Sequence, residues 1–147
     1  MTIAADVARR STCLRRQVGA ILVVDRRLLA TGYNGAPSGL EDCLSLGCLR
    51  DELHIPSGTR HEICRGIHAE QNVIIQASLH GVSIEGSTIY CTHMPCILCA
   101  KMLVNARILR FVTFGKYADE SALGLFKQAG IQFDMAKKPS SRVSFLK

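Results

Sequence analysis

A histidine and a closely spaced pair of cysteines mark the parts of this sequence that a metal site would bring together. His68-Ala69-Glu70 is followed downstream by Pro95-Cys96-Ile97-Leu98-Cys99. One imidazole and two thiolates fill three positions of a tetrahedral zinc ion and leave the fourth for water, as in catalytic rather than structural sites. Zinc lowers the pKa of such a water to roughly 7, and a nearby carboxylate can then move protons. The spacing therefore predicts a catalytic zinc site with Glu70 as the proton shuttle.

A Cys-x-x-Cys pair taken alone is also typical of a structural zinc knuckle or a redox dithiol. Two neighbouring features favour the catalytic interpretation. The histidine and the glutamate open a helix predicted over residues 69–79. Pro95 stands just before a second helix, predicted over residues 96–105, at a position where proline is tolerated. The two cysteines then share one face of that helix.

Length and composition predict a globular protein. The chain has 147 residues, of which 48% are hydrophobic and 20% charged, which is enough to bury a sizeable core. No apolar run reaches the roughly 18 residues of a membrane span, so no membrane partner is expected. Seven cysteines without a secretory signal predict thiols and metal ligands, and hence a cytoplasmic protein. The net charge of +6 favours an anionic partner, either a nucleotide phosphate or nucleic acid.

Strands and helices alternate along the chain. Strands are predicted over residues 18–24, 28–33, 88–92, 108–114 and 131–134, and helices over residues 2–10, 69–79, 96–105 and 121–129. The first two strands form a hairpin, and the alternation that follows predicts a mixed sheet with helices on both faces. We expect a single domain over residues 1–147, with a cysteine-rich loop insertion at about 34–66.

Six stretches occur together in this chain: Arg10-Ser11-Thr12-Cys13, Val18-Gly19-Ala20, Gly32-Tyr33-Asn34-Gly35, His68-Ala69-Glu70-Gln71-Asn72, Pro95-Cys96-Ile97-Leu98-Cys99, and Leu125-Phe126 with Ala129-Gly130-Ile131. In this combination the sequence resembles the zinc-dependent cytidine deaminase superfamily, and within it the deoxycytidylate (dCMP) deaminases of the late-competence branch. The zinc signature is shared across the superfamily. Its combination with R-S-T-C and G-Y-N-G is more discriminating.

The resemblance implies an α/β fold, a three-layer α/β/α sandwich around a five-stranded mixed sheet. It implies catalytic zinc on His68, Cys96 and Cys99, with Glu70 as the proton shuttle. The implied reaction is hydrolytic deamination of dCMP to dUMP and ammonia, which feeds thymidylate synthesis. It also implies a homo-oligomer, either a dimer or a hexamer, and regulation by dCTP and dTTP with magnesium.

The resemblance further implies contacts to the nucleotide. Asn34, at the end of the second strand, would hydrogen-bond the sugar, although Asn-Gly is also a common turn pair. Backbone N–H groups near Ala69 would read the base carbonyl. Tyr117, after the fourth strand, would lie near the nucleotide, with an ordinary loop tyrosine as the alternative.

Five further residues are candidate metal ligands: Cys13, Cys43, Cys48, His61 and Cys64. The Cys43-x4-Cys48 and His61-x2-Cys64 spacings are typical of metal ligands. A stretch with little core of its own would be held in place by an ion. Members of the resembled family carry a second, structural zinc in this region, so we expect four of the five to bind it. A set of free or partly buried thiols is the alternative.

Two other functions fit part of the pattern. The tRNA adenosine deaminases share H-A-E and P-C-x-x-C, as do other cytosine-nucleotide deaminases. The tRNA enzymes usually lack the cysteine-rich loop and G-Y-N-G. With 5% aromatic residues and no tryptophan, the chain also offers few platforms for stacking single-stranded bases, so nucleic acid is not the expected partner. A non-catalytic, zinc-bound accessory protein in DNA uptake would have no use for Glu70.

Overall fold

The computed structural model describes residues 1–116 and 121–140. Its strands are β1 Gly19–Val24, β2 Arg27–Tyr33, β3 Thr88–His93, β4 Arg110–Gly115 and β5 Gln132–Met135. Its helices are α1 Thr2–Ala8, α2 Cys43–Leu46, α3 Leu49–Glu52, α4 Ala69–Leu79, α5 Ile97–Asn105 and α6 Ser121–Gln128, with a 3₁₀ turn at His61–Ile63. None of the helices in the described ranges has the length and apolarity that a membrane crossing requires.

The five strands form one mixed sheet in the order β2-β1-β3-β4-β5. Strand β1 runs antiparallel to β2 and to β3, whereas β4 runs parallel to both β3 and β5. The β1–β2 hairpin turns at Asp25 and Arg26, whose φ angles of 47° and 63° are both positive. Two such residues in a two-residue turn match the twist of paired strands. The predicted hairpin and the mixed sheet are therefore present.

Helices cover both faces of this sheet. Side chains alternate between the faces of a strand, so Gly19 and Ala20 on β1 point to opposite layers. Gly19 faces α1, where a Cβ atom would meet the backbone of Ala4 at 2.2 Å. Gly32, paired with Ala20, faces α4 in the same way. The observed layers are those of the expected α/β/α sandwich.

Aromatic side chains fill the core between β4, β5 and α6. Phe111 and Phe126 are almost fully buried, and their ring centroids lie 5.6 Å apart. Two predicted strands begin late: β4 starts at Arg110 and β5 at Gln132. Ile108 and Ile131, predicted to be within these strands, are buried just before them. An apolar residue indicates that a position is buried, but not that it belongs to a strand. These two side chains are buried in the core although their residues precede the paired strands.

The stretch over residues 34–66, predicted as a loop, contains the short helices α2 and α3 and the 3₁₀ turn. Asp42 caps α2, because its carboxylate accepts a hydrogen bond from the N–H of Leu44 at 2.9 Å. The two ends of the stretch meet: the N–H of Ile67 donates to the carbonyl of Gly35 at 2.8 Å, and the reverse bond measures 3.2 Å. The 34–66 stretch therefore begins and ends beside the start of α4.

Candidate metal centre

Helix α4 is held against strand β2 by a direct backbone contact. A Cβ atom at Gly32 would lie 2.3 Å from the carbonyl oxygen of Ala69, so only glycine permits this approach. The side-chain amide of Asn72 also donates to the carbonyl of Tyr33 at 2.7 Å. These contacts fix the beginning of α4, where His68 is the N-cap residue, at the end of the sheet.

The structure brings His68, Cys96 and Cys99 together, with their ligand atoms all within 4.8 Å of one another. The Nδ1 atom of His68 lies 3.5 Å from the Sγ of Cys96 and 3.4 Å from that of Cys99. Cys96 is the N-cap residue of α5, and Cys99 lies in its first turn. Ligands at roughly 2.05 and 2.3 Å from a tetrahedral zinc ion are about 3.6 Å apart. The donor set and its spacing therefore fit zinc.

Glu70 lies beside this centre and is 4% exposed. Burial raises the pKa of Glu70 to about 7, against the lowering effect of nearby His68. Hydrogen bonding with Cys99, and then with His68, lowers the pKa of Cys96 to about 3. The same interaction with Cys96 raises the pKa of Cys99. The two sulfurs are therefore close enough to share a proton, and the thiolate is the form of cysteine that binds metals.

An open cavity adjoins the centre and is lined by residues from β3, α4 and the 34–66 stretch. Ala69 lines it as the first residue of α4, so its N–H is not used by the hydrogen-bond pattern of the helix. Asn34 also lines it, while its Oδ1 accepts from the N–H of Val18 and its Nδ2 donates to the carbonyl of Arg16, both at 2.8 Å. Tyr117 lies outside the described residues.

All five further candidate ligands line the same cavity: Cys13, Cys43, Cys48, His61 and Cys64. Burial raises the pKa of Cys43, and so do the three other sulfurs, with Cys13 the strongest. Each of the other three thiols therefore lies within electrostatic range of Cys43. Within residues 1–116 and 121–140, no three ligand atoms besides those of the first centre lie within 4.8 Å of one another.

His61, the fifth candidate, lies against the first centre. Its ring meets that of His68 edge to face, with centroids 4.9 Å apart and an angle of 87°. Its Nε2 atom lies 3.1 Å from the carbonyl oxygen of Gly58. Burial lowers the pKa of His61. The neighbouring charge with the largest effect is that of Cys96, which acts in the opposite direction and raises this pKa. The structure thus places the ring of His61 against that of His68, in the cavity that the four cysteines also line.

Arg50 is a residue of the cavity for which the sequence gives no signal. One arginine in a polar stretch normally belongs to a solvated surface. The structure buries Arg50 to 7% exposure, on α3, where it lines the cavity.

A mixed sheet that presents a histidine and two cysteines from the starts of two adjacent helices defines the class of zinc-binding deaminase folds. The family model for the cytidine and deoxycytidylate deaminase zinc-binding region matches residues 1–115. The chain therefore belongs to the cytidine and deoxycytidylate deaminase family, and the resemblance inferred from the sequence is confirmed.

Individual relatives agree with this membership. ComE operon protein 2 of Bacillus subtilis is 40% identical over 132 residues, covering 89% of this chain and 66% of the relative. The deoxycytidylate deaminase of Saccharomyces cerevisiae is 34% identical over 143 residues, covering 95% of this chain and 45% of the relative. The chain thus spans less than two thirds of the length of these relatives.

A solved structure confirms the fold. The dCMP deaminase of cyanophage S-TIM5, in complex with dCMP and dUMP, superposes with a TM-score of 0.77 at 30% identity. The match covers 91% of this chain and 92% of the phage chain. The five-stranded mixed sheet predicted for the chain is therefore the sheet of this family.

Proposed function

We propose that this chain hydrolyses dCMP to dUMP and ammonia with zinc as cofactor, and so feeds thymidylate synthesis. The observation that carries the proposal is the buried Glu70 beside three converging metal-ligand atoms, at an open cavity. Its relatives support the substrate, since several are named deoxycytidylate deaminases and the similar phage enzyme is complexed with dCMP and dUMP.

His68, Cys96 and Cys99 would hold the zinc, which when bound supplies the Lewis acidity that makes water a nucleophile near neutral pH. Glu70 takes a proton from that water and passes it to the ring nitrogen of the base. It then takes the proton of the added hydroxyl and gives it to the exocyclic amine, as the C–N bond breaks and the carbonyl forms. The N–H of Ala69 donates to the base carbonyl. One water is consumed, and the exocyclic amine leaves as ammonia.

Two contacts to the nucleotide complete the proposed site. Asn34 is assigned to the sugar, because it lines the cavity and uses only one of its two amide hydrogens on the carbonyl of Arg16. Tyr117 is assigned to the nucleotide on family resemblance alone.

The second zinc is proposed to bind Cys13, Cys43, Cys48 and Cys64. The three other sulfurs act on the pKa of Cys43, and a closed set of four cysteines is a common structural zinc site. Helices α2 and α3 have four residues each, too few to stabilise themselves, so an ion would supply folding energy there.

An oligomer, either a dimer or a hexamer, is the proposed state of the protein. Ile75 and Leu79 on α4, and Leu98 and Met102 on α5, leave apolar side chains exposed at one-turn spacing. The two helices are joined by a contact of 3.7 Å between the Gln71 amide and the Met102 sulfur. Clusters of exposed apolar side chains are typical of protein interfaces. Regulation by dCTP and dTTP with magnesium, and a cytoplasmic location, are proposed from the family resemblance.

Substitution Glu70→Gln tests the proposed reaction. Deamination of dCMP is followed by ultraviolet absorbance with zinc-loaded protein, magnesium and dCTP. The turnover of the variant is expected to fall by about 10²- to 10⁴-fold, which is the contribution that acid–base catalysis typically makes. The variant should still bind zinc. Glu62→Gln, which alters an exposed glutamate, is the matched control and should retain wild-type activity.

Other outcomes select other functions. Zinc-loaded wild-type protein that leaves dCMP unchanged refutes the proposal. Turnover of CMP instead selects a different cytosine-nucleotide deaminase, and turnover of an adenosine in tRNA selects the tRNA-type reaction. Zinc binding with no deamination of any of them leaves the non-catalytic accessory protein.

A further inference from the structure

Arg50 is a buried cation without a counter-charge among the described residues. It is 7% exposed, and its Nη2 donates to the carbonyl of Pro56 at 3.1 Å. Its Nε is also buried and has no hydrogen-bond partner. The ion pairs within residues 1–116 and 121–140 are Arg15–Asp51, Arg60–Glu62, Arg107–Glu85 and Arg110–Asp134. Because an unpaired buried charge is costly, Arg50 calls for an anion from outside the chain.

The arginines around the cavity are held in place by successive residues of one segment. Arg15 donates to the carbonyl of Ile55 at 2.6 Å, next to the Pro56 carbonyl that Arg50 uses. Arg16 donates to the Ser57 hydroxyl at 3.2 Å. The charge of Arg15 is offset by Asp51 at 2.7 Å, although its buried Nη1 has no partner. Arg15 therefore has an acid beside it, whereas Arg50 has no ion pair among the described residues and is already fixed by the Pro56 carbonyl before a ligand arrives.

The position of Arg50 relates it to the metal centre. It lines the same cavity as His68 and Glu70. Among the described lining residues Glu70 is the only acid, and it lies at the centre itself. The cavity thus offers an acid–base group at one place and a fixed cation at another, which suits a ligand with a polar ring and an anionic tail.

We propose that Arg50 binds the 5′-phosphate of the nucleotide and determines the preference for a nucleoside monophosphate over the free nucleoside. This inference rests on the proposed function and deepens it. A guanidinium matches a phosphate because its planar N–H groups reach two oxygens at once, and charge-assisted bonds of this kind are stronger than neutral ones. The phosphate would supply the missing counter-charge.

A role for Arg50 in balancing the cysteine thiolates is the alternative. The arginine that lowers the pKa of Cys43 is Arg65, whose Nε is also buried without a hydrogen-bond partner. Arg65 is therefore the arginine that acts most strongly on Cys43. The two roles differ in a measurable way. Replacing Arg50 should change the amount of bound zinc only if Arg50 balances the charge of the cysteine thiolates.

The test compares kcat/KM for dCMP and for deoxycytidine in the wild-type protein and two variants. Removing one partner of a buried charged pair costs about 2–5 kcal/mol, so Arg50→Gln is expected to lower kcat/KM for dCMP by about 30-fold or more. Its kcat/KM for deoxycytidine should stay within about threefold, which also shows that the variant folds. Arg60→Gln removes an exposed arginine, 62% accessible, near the same segment and should change neither value.

A second variant and a binding measurement cover the remaining outcomes. Arg50→Lys keeps the charge without the planar fork and should show an intermediate loss for dCMP only. Equal losses for dCMP and deoxycytidine, or loss of zinc from Arg50→Gln, would make the residue structural and overturn the inference.

If the wild-type protein deaminates neither compound, the proposed function is wrong, and binding measured by calorimetry then decides whether Arg50 recognises the phosphate. The inference requires that dUMP bind the wild type more tightly than deoxyuridine and that Arg50→Gln abolish the difference; equal affinities overturn it.

Discussion

Gly32 is where the backbone of β2 touches helix α4, and substitution Gly32→Ala tests whether this contact positions the metal centre. The added Cβ would stand 2.3 Å from the carbonyl oxygen of Ala69 and 2.5 Å from the amide nitrogen of Val73. Ordinary contacts of a Cβ begin at 3.4 Å, so the helix and the strand must separate by about 1 Å. Strand β2 lies at the edge of the sheet and can yield part of this distance.

The expected losses follow from that displacement. Overfilling a packed contact costs about 1–3 kcal/mol, and at this chain length each kcal/mol lowers Tm by about 2–4 °C, so Tm should fall by about 2–12 °C. Ala69 directly follows His68, so part of the displacement moves the imidazole relative to the two sulfurs. Metal–ligand distances tolerate about 0.2 Å. Zinc affinity should therefore fall about 10- to 100-fold, the range seen when ligand orientation is disturbed.

Thermal unfolding by circular dichroism and zinc competition with a chromophoric chelator measure the two losses. Gly124→Ala is the matched control, because a Cβ there meets nothing within 4 Å and lies in helix α6. Alanine in a helix is favoured over glycine, so this variant should gain about 0.5–1 kcal/mol with unchanged zinc affinity. If Gly32→Ala kept both the wild-type Tm and the wild-type zinc affinity, the contact would not position the centre.

Two variants address other parts of the fold. Cys43→Ser is expected to lower the zinc content, measured by plasma emission, from two ions per chain to one; a wild-type content of one would contradict the four-cysteine site. Phe126→Ala removes a ring that is 1% exposed and should cost about 3–5 kcal/mol in denaturant unfolding, against less than about 0.5 kcal/mol for Met135→Ala, which changes a side chain that is 49% exposed. A loss below about 1 kcal/mol for Phe126→Ala would remove this ring from the core.

The parts of the fold that local sequence determines are predictable from the sequence. The apolar, β-branched run of β1 and a turn over Asp25-Arg26-Arg27 predict the hairpin. The structure contains the hairpin, with Arg27 already in β2. Helix α4 spans the predicted residues 69–79 because its apolar positions recur at the helical period. Both signals act over a few residues, so they are present before any long-range contact forms.

The 34–66 stretch is less predictable because its structure depends on contacts between distant residues. Helices α2 and α3 have four residues each, too few for a helical period to show, and the N-cap residue Asp42 is the main local signal for α2. Ligand spacing selects five candidate metal ligands but cannot choose among them. His61 and Cys64 are three residues apart in sequence and line the same cavity, yet the ring of His61 also lies against that of the metal-ligand candidate His68.

The difference between the metal ligands and Arg50 has a chemical cause. A zinc ion fixes its ligand atoms within a few tenths of an ångström, and two cysteines on one helix turn meet that demand only at a narrow range of spacings, which leaves a pattern in the sequence. A phosphate accepts hydrogen bonds from many directions, so a cation that recognises it can come from any segment that reaches the cavity. Arg50 reaches it because α3 and the Pro56 carbonyl hold it there. The proposed role of Arg50 therefore follows only from its position in the folded chain. Comparing dCMP with deoxycytidine tests that role, whereas the zinc content tests the ligand pattern in the sequence.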